Sequence, residues 1–291
     1  AIIGFTQTTT TDYTIIDTEI TDHYKDYKYS NKKRPGYYLQ INNQNCHYDI
    51  KVNDLNGEIF FDPYPMYSNQ IPLNLNILKS GKQKLSVKIF PLNGDLISEK
   101  AGMQLRLIRY EDMTDIENEF GKSKVIWEWE MPKINNQKLP FFLFETFFEA
   151  KVPYGIETLD LFALDLSELD EKLILQEVIK EFQIKQKSIV NKTQDLDYLK
   201  RHIRRPLIQI YPNEDIMKET IEGMVNLESG MKAQPIEDFE ICFYYNNKIV
   251  TLLRKEDKES ALWFENPDTG DRFIQPYYIF KHKETGTWHM W

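Results

Sequence analysis

The sequence predicts a two-domain protein, an all-β sandwich over residues 1–158 followed by an α+β domain over residues 159–291. Three observations carry that prediction. The chain has 291 residues, more than a single domain of roughly 100–200 residues takes up. Hydrophobicity alternates with period two through the first half. It changes to a helical period near residue 168 and returns to period two after residue 239.

The elements follow in order. The first 35 residues are polar and end in Asn31-Lys32-Lys33-Arg34-Pro35-Gly36, which reads as an extended arm or edge strand closed by a turn. Cys46, Tyr48, Ile50 and Val52 then alternate with His47, Asp49, Lys51 and Asn53, the pattern of a half-buried strand. Lys84–Ile89 alternates in the same way up to Pro91, and Gln104–Leu107 and Ile126–Met131 repeat it. Asn53–Gly57, Ser80-Gly81 and Asn93-Gly94-Asp95 supply turns between them. Phe141, Phe142, Phe144, Phe147 and Phe148 make the stretch 138–154 apolar on both faces, which predicts a strand buried on both sides or covered by the second domain. About seven short strands without a helix imply a sandwich.

Ser167-Glu168-Leu169-Asp170 resembles a capping box, and Leu175, Val178, Ile179 and Phe182 follow at helical spacing, predicting a helix over 168–190. A second helix is expected over 194–205, stopped by Pro206. Leu207–Tyr211 reads as a short strand, and Asn213 caps a third helix closing near Gly230. Strands are expected at 239–245, 248–254, 260–265, 272–282 and 287–291.

Charge and cysteine content exclude several classes of function. The net charge is -9. Up to residue 158 there are 18 basic and 21 acidic residues, and beyond it 18 and 24, so the halves carry -3 and -6. Binding to a nucleic acid by counterion release needs a basic face, and neither half supplies one, so no nucleic-acid partner is expected. Lys200–Arg205 is the basic exception, read as the solvated last turn of a helix, with an anionic ligand or partner as the rival reading. Cys46 and Cys242, the two cysteines, lie far apart and read as free thiols in strands; they make neither a zinc site nor a disulfide framework. No apolar run approaches the ~20 residues of a transmembrane helix, so no transmembrane segment is expected. Ala1 and the Thr-rich stretch after it suggest a processed start, hence a periplasmic or extracellular protein of a bacterium, with a cytoplasmic location as the alternative.

The order helix, helix, strand, helix and then four strands, over about residues 165–291, resembles the cystatin-like or NTF2-like α+β cone. The whole chain loosely resembles uncharacterised bacterial two-domain proteins that pair a β-sandwich with such a cone. The resemblance implies a curved antiparallel sheet around three helices, with a pocket between them. It assigns no functional residue.

Enzymes of the NTF2-like kind use an Asp or His base beside a Tyr, which makes Asp195, Asp197 and His202 the candidate catalytic residues. The plain reading of those three is surface pairing, with Asp197 and Arg201 at i, i+4. Candidate ligand-binding residues are Tyr244 and Tyr277 on the late strands, which otherwise read as core. Tyr64 and Tyr67 flank a proline-fixed loop that reads as a recognition loop. Trp127 and Trp129 share one strand face, either packed in the sandwich or exposed as a platform for sugar rings. His282 and His289 face each other at most as a pair, too few for a metal site, and no cofactor motif occurs. The expectation is a non-catalytic binding or interaction protein for an unknown protein, small-molecule or glycan ligand. Its rivals are an enzyme working in the cone pocket and an immunity or inhibitor protein whose acidic surface neutralises a basic partner.

Overall fold

The computed structural model describes residues 26–211 and 227–291; within them the side chains of Leu196, Asp197, Lys200 and Arg201 are left aside. The described residues are mostly β, in four sheets, with three α-helices. The N-terminal arm to residue 25 and most of the helix expected after Asn213 lie outside them.

Eight strands build the first part: β1 Gly36–Gln44, β2 Cys46–Val52, β3 Leu55–Phe60, β4 Met66–Pro72, β5 Gly81–Pro91, β6 Gly102–Tyr110, β7 Ser123–Glu130 and β8 Phe142–Ala150. They form two antiparallel sheets, β4-β1-β6-β7 and β3-β2-β5-β8. One apolar core lies between the sheets, and rings meet across it: Tyr37 of β1 with Phe148 of β8, and Trp127 of β7 with Phe144 of β8. Each fully buried aliphatic side chain there contributes about 1.5–3 kcal/mol.

β1 and β2 are nearly one strand, bent from one sheet to the other at Asn45, whose φ is 50°. That single residue shifts the alternation. Leu39 and Ile41 are buried at odd positions in β1, then Cys46, Tyr48, Ile50 and Val52 at even positions in β2, the set the sequence predicts. The Asn53–Asp54 hairpin turn takes positive φ at both residues, so β3 starts at Leu55, inside the stretch expected to be turn throughout. β8 is not covered on both sides: its inner face buries Phe148 and Ala150, whereas Leu143 and Phe147 are about half exposed on its outer face.

The C-terminal region opens with a short helix α1, Thr158–Phe162, and continues with α2, Glu171–Val190, and α3, Leu196–Ile210. α2 begins at Asp170, whose carboxylate accepts the N–H groups of Lys172 and Leu173. α3 does not stop at Pro206. The apolar stripe Leu199, Ile203 and Leu207 runs straight through the proline and is fully buried, so packing outweighs the lost backbone bond. Leu207–Tyr211 is accordingly helix rather than strand, ending at Tyr211 with a φ of 50°.

Seven strands follow: β9 Lys232–Ala233, β10 Phe239–Tyr244, β11 Ile249–Arg254, β12 Trp263–Glu265, β13 Arg272–Ile274, β14 Ile279–Lys281 and β15 Trp288–Met290. They pair as β10-β11-β14-β15 and β13-β12-β9. The single strand expected at 272–282 is two, because Gln275, Pro276 and the two tyrosines after it leave the ladder. No helix among the described residues is long and apolar enough to cross a membrane.

The two regions share packing. Ile208, Tyr211, Tyr244, Ile249 and Phe280 belong to the apolar cluster of the sandwich. Asn74, in a 3-10 turn after β4, is the polar junction: its Oδ1 accepts the Tyr37 N–H, and its Nδ2 donates to Pro35 and to Gln209 of α3. Gln209 donates back to the backbone oxygens of Asn74 and Ile77.

Candidate functional site

A second stripe on α3 builds the candidate site. Tyr198, His202, Arg205 and Gln209 stand at i, i+4, i+7 and i+11, one helix face beside the buried apolar stripe. Period two in the last hairpin supplies the opposite wall. Phe280 of β14 pairs with His289 of β15, while Ile279 and Met290 are buried in the helix-facing core cluster. His282 and Trp291 continue the Phe280–His289 face, and α1 adds Thr158 and Phe162. The cavity between these elements holds about 270 Å3.

Rings line most of it. His282 stacks on Phe162 with centroids 5.3 Å apart, and His289 lies 5.6 Å from Phe280 and 5.7 Å from His282. The Nδ1 of His282 accepts the backbone N–H of Glu284 at 3.2 Å, which leaves the proton of the neutral ring on Nε2. His289 Nε2 shares a hydrogen bond of 2.8 Å with the Thr287 hydroxyl.

One cation, Arg205, lines the cavity, and a second, Lys185, lies near enough to act on His202. Arg205 lays its guanidinium 3.9 Å from the Trp291 ring centroid and donates to Gln209 Oε1 at 2.8 Å. Burial lowers its pKa to about 9. Lys185 of α2 donates to Gln194, and burial brings its pKa down to about 8. His202 lies between these charges. Burial first, then repulsion from Arg205 and Lys185, pushes its pKa down to about 3 against a smaller opposing pull from the Met290 backbone, so the imidazole is neutral at pH 7. The neighbouring carboxylate is committed elsewhere: Glu177 Oε2 takes the Lys281 ammonium at 2.6 Å and the Trp288 indole N–H at 2.8 Å.

Of the residues singled out from sequence, His202 alone among the three catalytic candidates is placed in a cavity, beside Tyr198. Asp195 is an exposed cap that accepts the Tyr198 N–H, and the side chain of Asp197 lies outside the described residues. The reading of Lys200–Arg205 as a solvated last turn does not hold, since His202 and Arg205 turn inward and the helix continues to Ile210. Trp127 and Trp129 are half-buried: Trp129 stacks face to face on Phe144 at 4.1 Å, and both pack against the core along the β7–β8 side. Tyr67 stacks on Phe60 at 4.4 Å, which leaves Tyr64 as the exposed ring of that loop. Tyr277 is core, 4.9 Å from Phe182.

Tyr244 is buried and borders a second cavity of about 260 Å3, between the outer face of β2–β3 and β10. Asp49, Lys51 and Cys242 border it too. Burial raises the Asp49 pKa, and burial and Glu240 push the Cys242 thiol up to about 11, so no thiolate is present there near neutral pH. Among the described residues no three His, Cys, Asp or Glu side chains gather as metal ligands.

Compared with protein-family models, with curated proteins and with solved structures, the chain matches none. The residues themselves therefore carry the functional reading. Tyr198, Phe162 and Trp291 were not singled out from sequence as members of a site, and Arg205 only within the basic run whose rival reading was an anionic ligand or partner. Their signal was present, in the polar stripe of α3 and in the alternation Phe280-x-His282 and His289-x-Trp291.

Proposed function

We propose that the chain is a non-catalytic binding protein that holds a small organic molecule between α3 and the β14–β15 hairpin, with the β-sandwich as its docking module. The observation that carries this reading is the ring-lined cavity of about 270 Å3 that three separate elements converge to form. The half-exposed Phe141, Leu143 and Phe147 on and beside β8 support a docking role for the sandwich. Helices laid against antiparallel sheet support a cystatin-like or NTF2-like reading of the C-terminal region, although the strand expected between its helices is helix.

The rival reading, an enzyme with His202 as base, is favoured by the inward turn of His202 beside Tyr198. Two observations count against it. No carboxylate among the described residues orients the imidazole, and its depressed pKa makes it a poor proton acceptor near neutrality.

Native mass spectrometry of freshly purified protein tests the proposal, with His289→Trp as the cavity-filling comparison. The expected result is an adduct of small-molecule mass on the wild type and none on the variant, with unchanged circular dichroism. An adduct that persists in the variant would overturn this placement of the ligand. A bare wild type whose melting temperature no compound in a metabolite panel raises would overturn the proposal.

A further inference from the structure

We propose that the cavity is an oxyanion receptor, and that its ligand carries a carboxylate or phosphate group on a small flat ring. The inference rests on the ligand-binding reading above and adds the chemical class. Two arginines in the same region make the argument. Arg254 lies on the Trp263 ring at 4.3 Å and forks onto the Asp257 carboxylate through Nε and Nη2. Arg205 lies on the Trp291 ring at 3.9 Å in the same manner, yet among the described residues its one hydrogen-bond partner is the neutral amide of Gln209. A guanidinium has five N–H donors in a planar fork that fits an oxyanion bidentately. Most of that fork is unused at Arg205.

A half-buried cation without a counter-ion is disfavoured, and Arg205 is one, placed in the cavity wall. Lys185, outside the cavity lining but close enough to act on His202, likewise has an amide partner and no carboxylate among the described residues. Neutral His202 and the Nε2–H of His282 add polarity without negative charge. The site therefore holds positive potential that nothing in the described chain offsets. A bound oxyanion on Arg205 supplies the missing charge. The remaining walls, Phe162, Phe280, His289 and Trp291, suit the faces and edges of one ring, and about 270 Å3 admits one ring with its head group.

The test is calorimetric titration of the full chain with sodium benzoate, phenyl phosphate, inorganic phosphate and benzamide, repeated on Arg205→Gln and Arg205→Lys. Benzoate or phenyl phosphate is expected to bind at least about tenfold more tightly than benzamide, which is the same ring without the charge. Whichever of the two binds more tightly tells carboxylate from phosphate. Arg205→Gln is expected to erase the preference, and Arg205→Lys to keep part of it. The unliganded Arg205→Gln protein is expected to melt no lower than wild type, because it loses an uncompensated charge. Benzamide binding as tightly as benzoate would overturn the oxyanion inference and leave the ligand-binding reading standing. Inorganic phosphate matching phenyl phosphate would overturn the role of the ring walls. No heat and no melting shift with any probe at millimolar concentration would overturn the inference. The native adduct measured on purified protein then decides separately whether the cavity binds anything.

Discussion

The sandwich and the C-terminal region differ in the charge they hold partly away from water. The fully buried polar side chains of the sandwich are neutral amides, Asn43, Asn74, Asn76 and Gln83, and each bonds to backbone. Asn43 donates to the Cys46 carbonyl and so holds the corner at Asn45; Gln83 donates to the carbonyls of Lys79 and Gly81. These groups complete the architecture and leave nothing over. The C-terminal region fully buries Gln194, Gln209, Thr251 and Ser260, and in addition half-buries three basic groups, Lys185, His202 and Arg205, with no carboxylate against any of them among the described residues. An interior that is satisfied internally stabilises a scaffold. One left with excess charge fits an incoming partner.

The largest expected effect breaks the scaffold side of that comparison. Ile50 is completely buried at the centre of β2, so Ile50→Ala is expected to lower stability by about 2–5 kcal/mol in urea unfolding. Because Ile208, Tyr211 and Phe280 of the C-terminal region pack in the same cluster, the loss is expected in one cooperative transition followed by fluorescence and circular dichroism alike. Two separate transitions, with only the first shifted, would show that the regions unfold independently.

A somewhat smaller effect is expected at the junction. Asn74→Ala strands the Tyr37 N–H and the Gln209 carbonyl, both buried, and is expected to lower stability by about 2–3 kcal/mol. Gln209→Leu removes donors to the same turn, so the double variant is expected to lose less than the sum of the two. Strict additivity would mean that Asn74 and Gln209 act separately and that the junction is not a shared network.

The same contrast explains what was legible in the sequence. In β2, β5 and most of β6 buried positions alternate with more exposed ones, as half-buried and exposed positions do at the end of β7, and these strands could be read from that alternation. β8 misled because two of its four outward residues, Leu143 and Phe147, are apolar, which masks the signal of Glu145 and Glu149. In α3 a local rule, that proline ends a helix, was outvoted by a stripe of three buried aliphatic residues. That error hid the site: stopping the helix at Arg205 made the cluster look like a solvated end. Once the helix is carried to Ile210, Arg205 and Gln209 fall on the face of His202. The wall from β14 and β15 could not be read from spacing, because two three-residue strands show too little alternation to set a face.

The smallest expected effect sharpens the comparison by titration. An unfolded histidine has a pKa near 6.5, and folding lowers that of His202 to about 3. Between those values the unfolded chain takes up a proton that the folded chain refuses. Stability is therefore lost as the pH falls below about 6.5, and the loss levels off near pH 3. His202→Gln removes this contribution and leaves the carboxylates untouched, so the fall in melting temperature from pH 7 to pH 5 is expected to be shallower by a few degrees in the variant. Equal slopes would mean that the folded imidazole accepts the proton, which requires a negative charge beside it. Benzoate on Arg205 would provide such a charge, so saturating benzoate is expected to bring the wild-type slope toward that of the variant. An unliganded slope already equal to the variant's would place a carboxylate of the chain itself in the cavity, and the contrast between a closed scaffold and an open, cationic site would be lost.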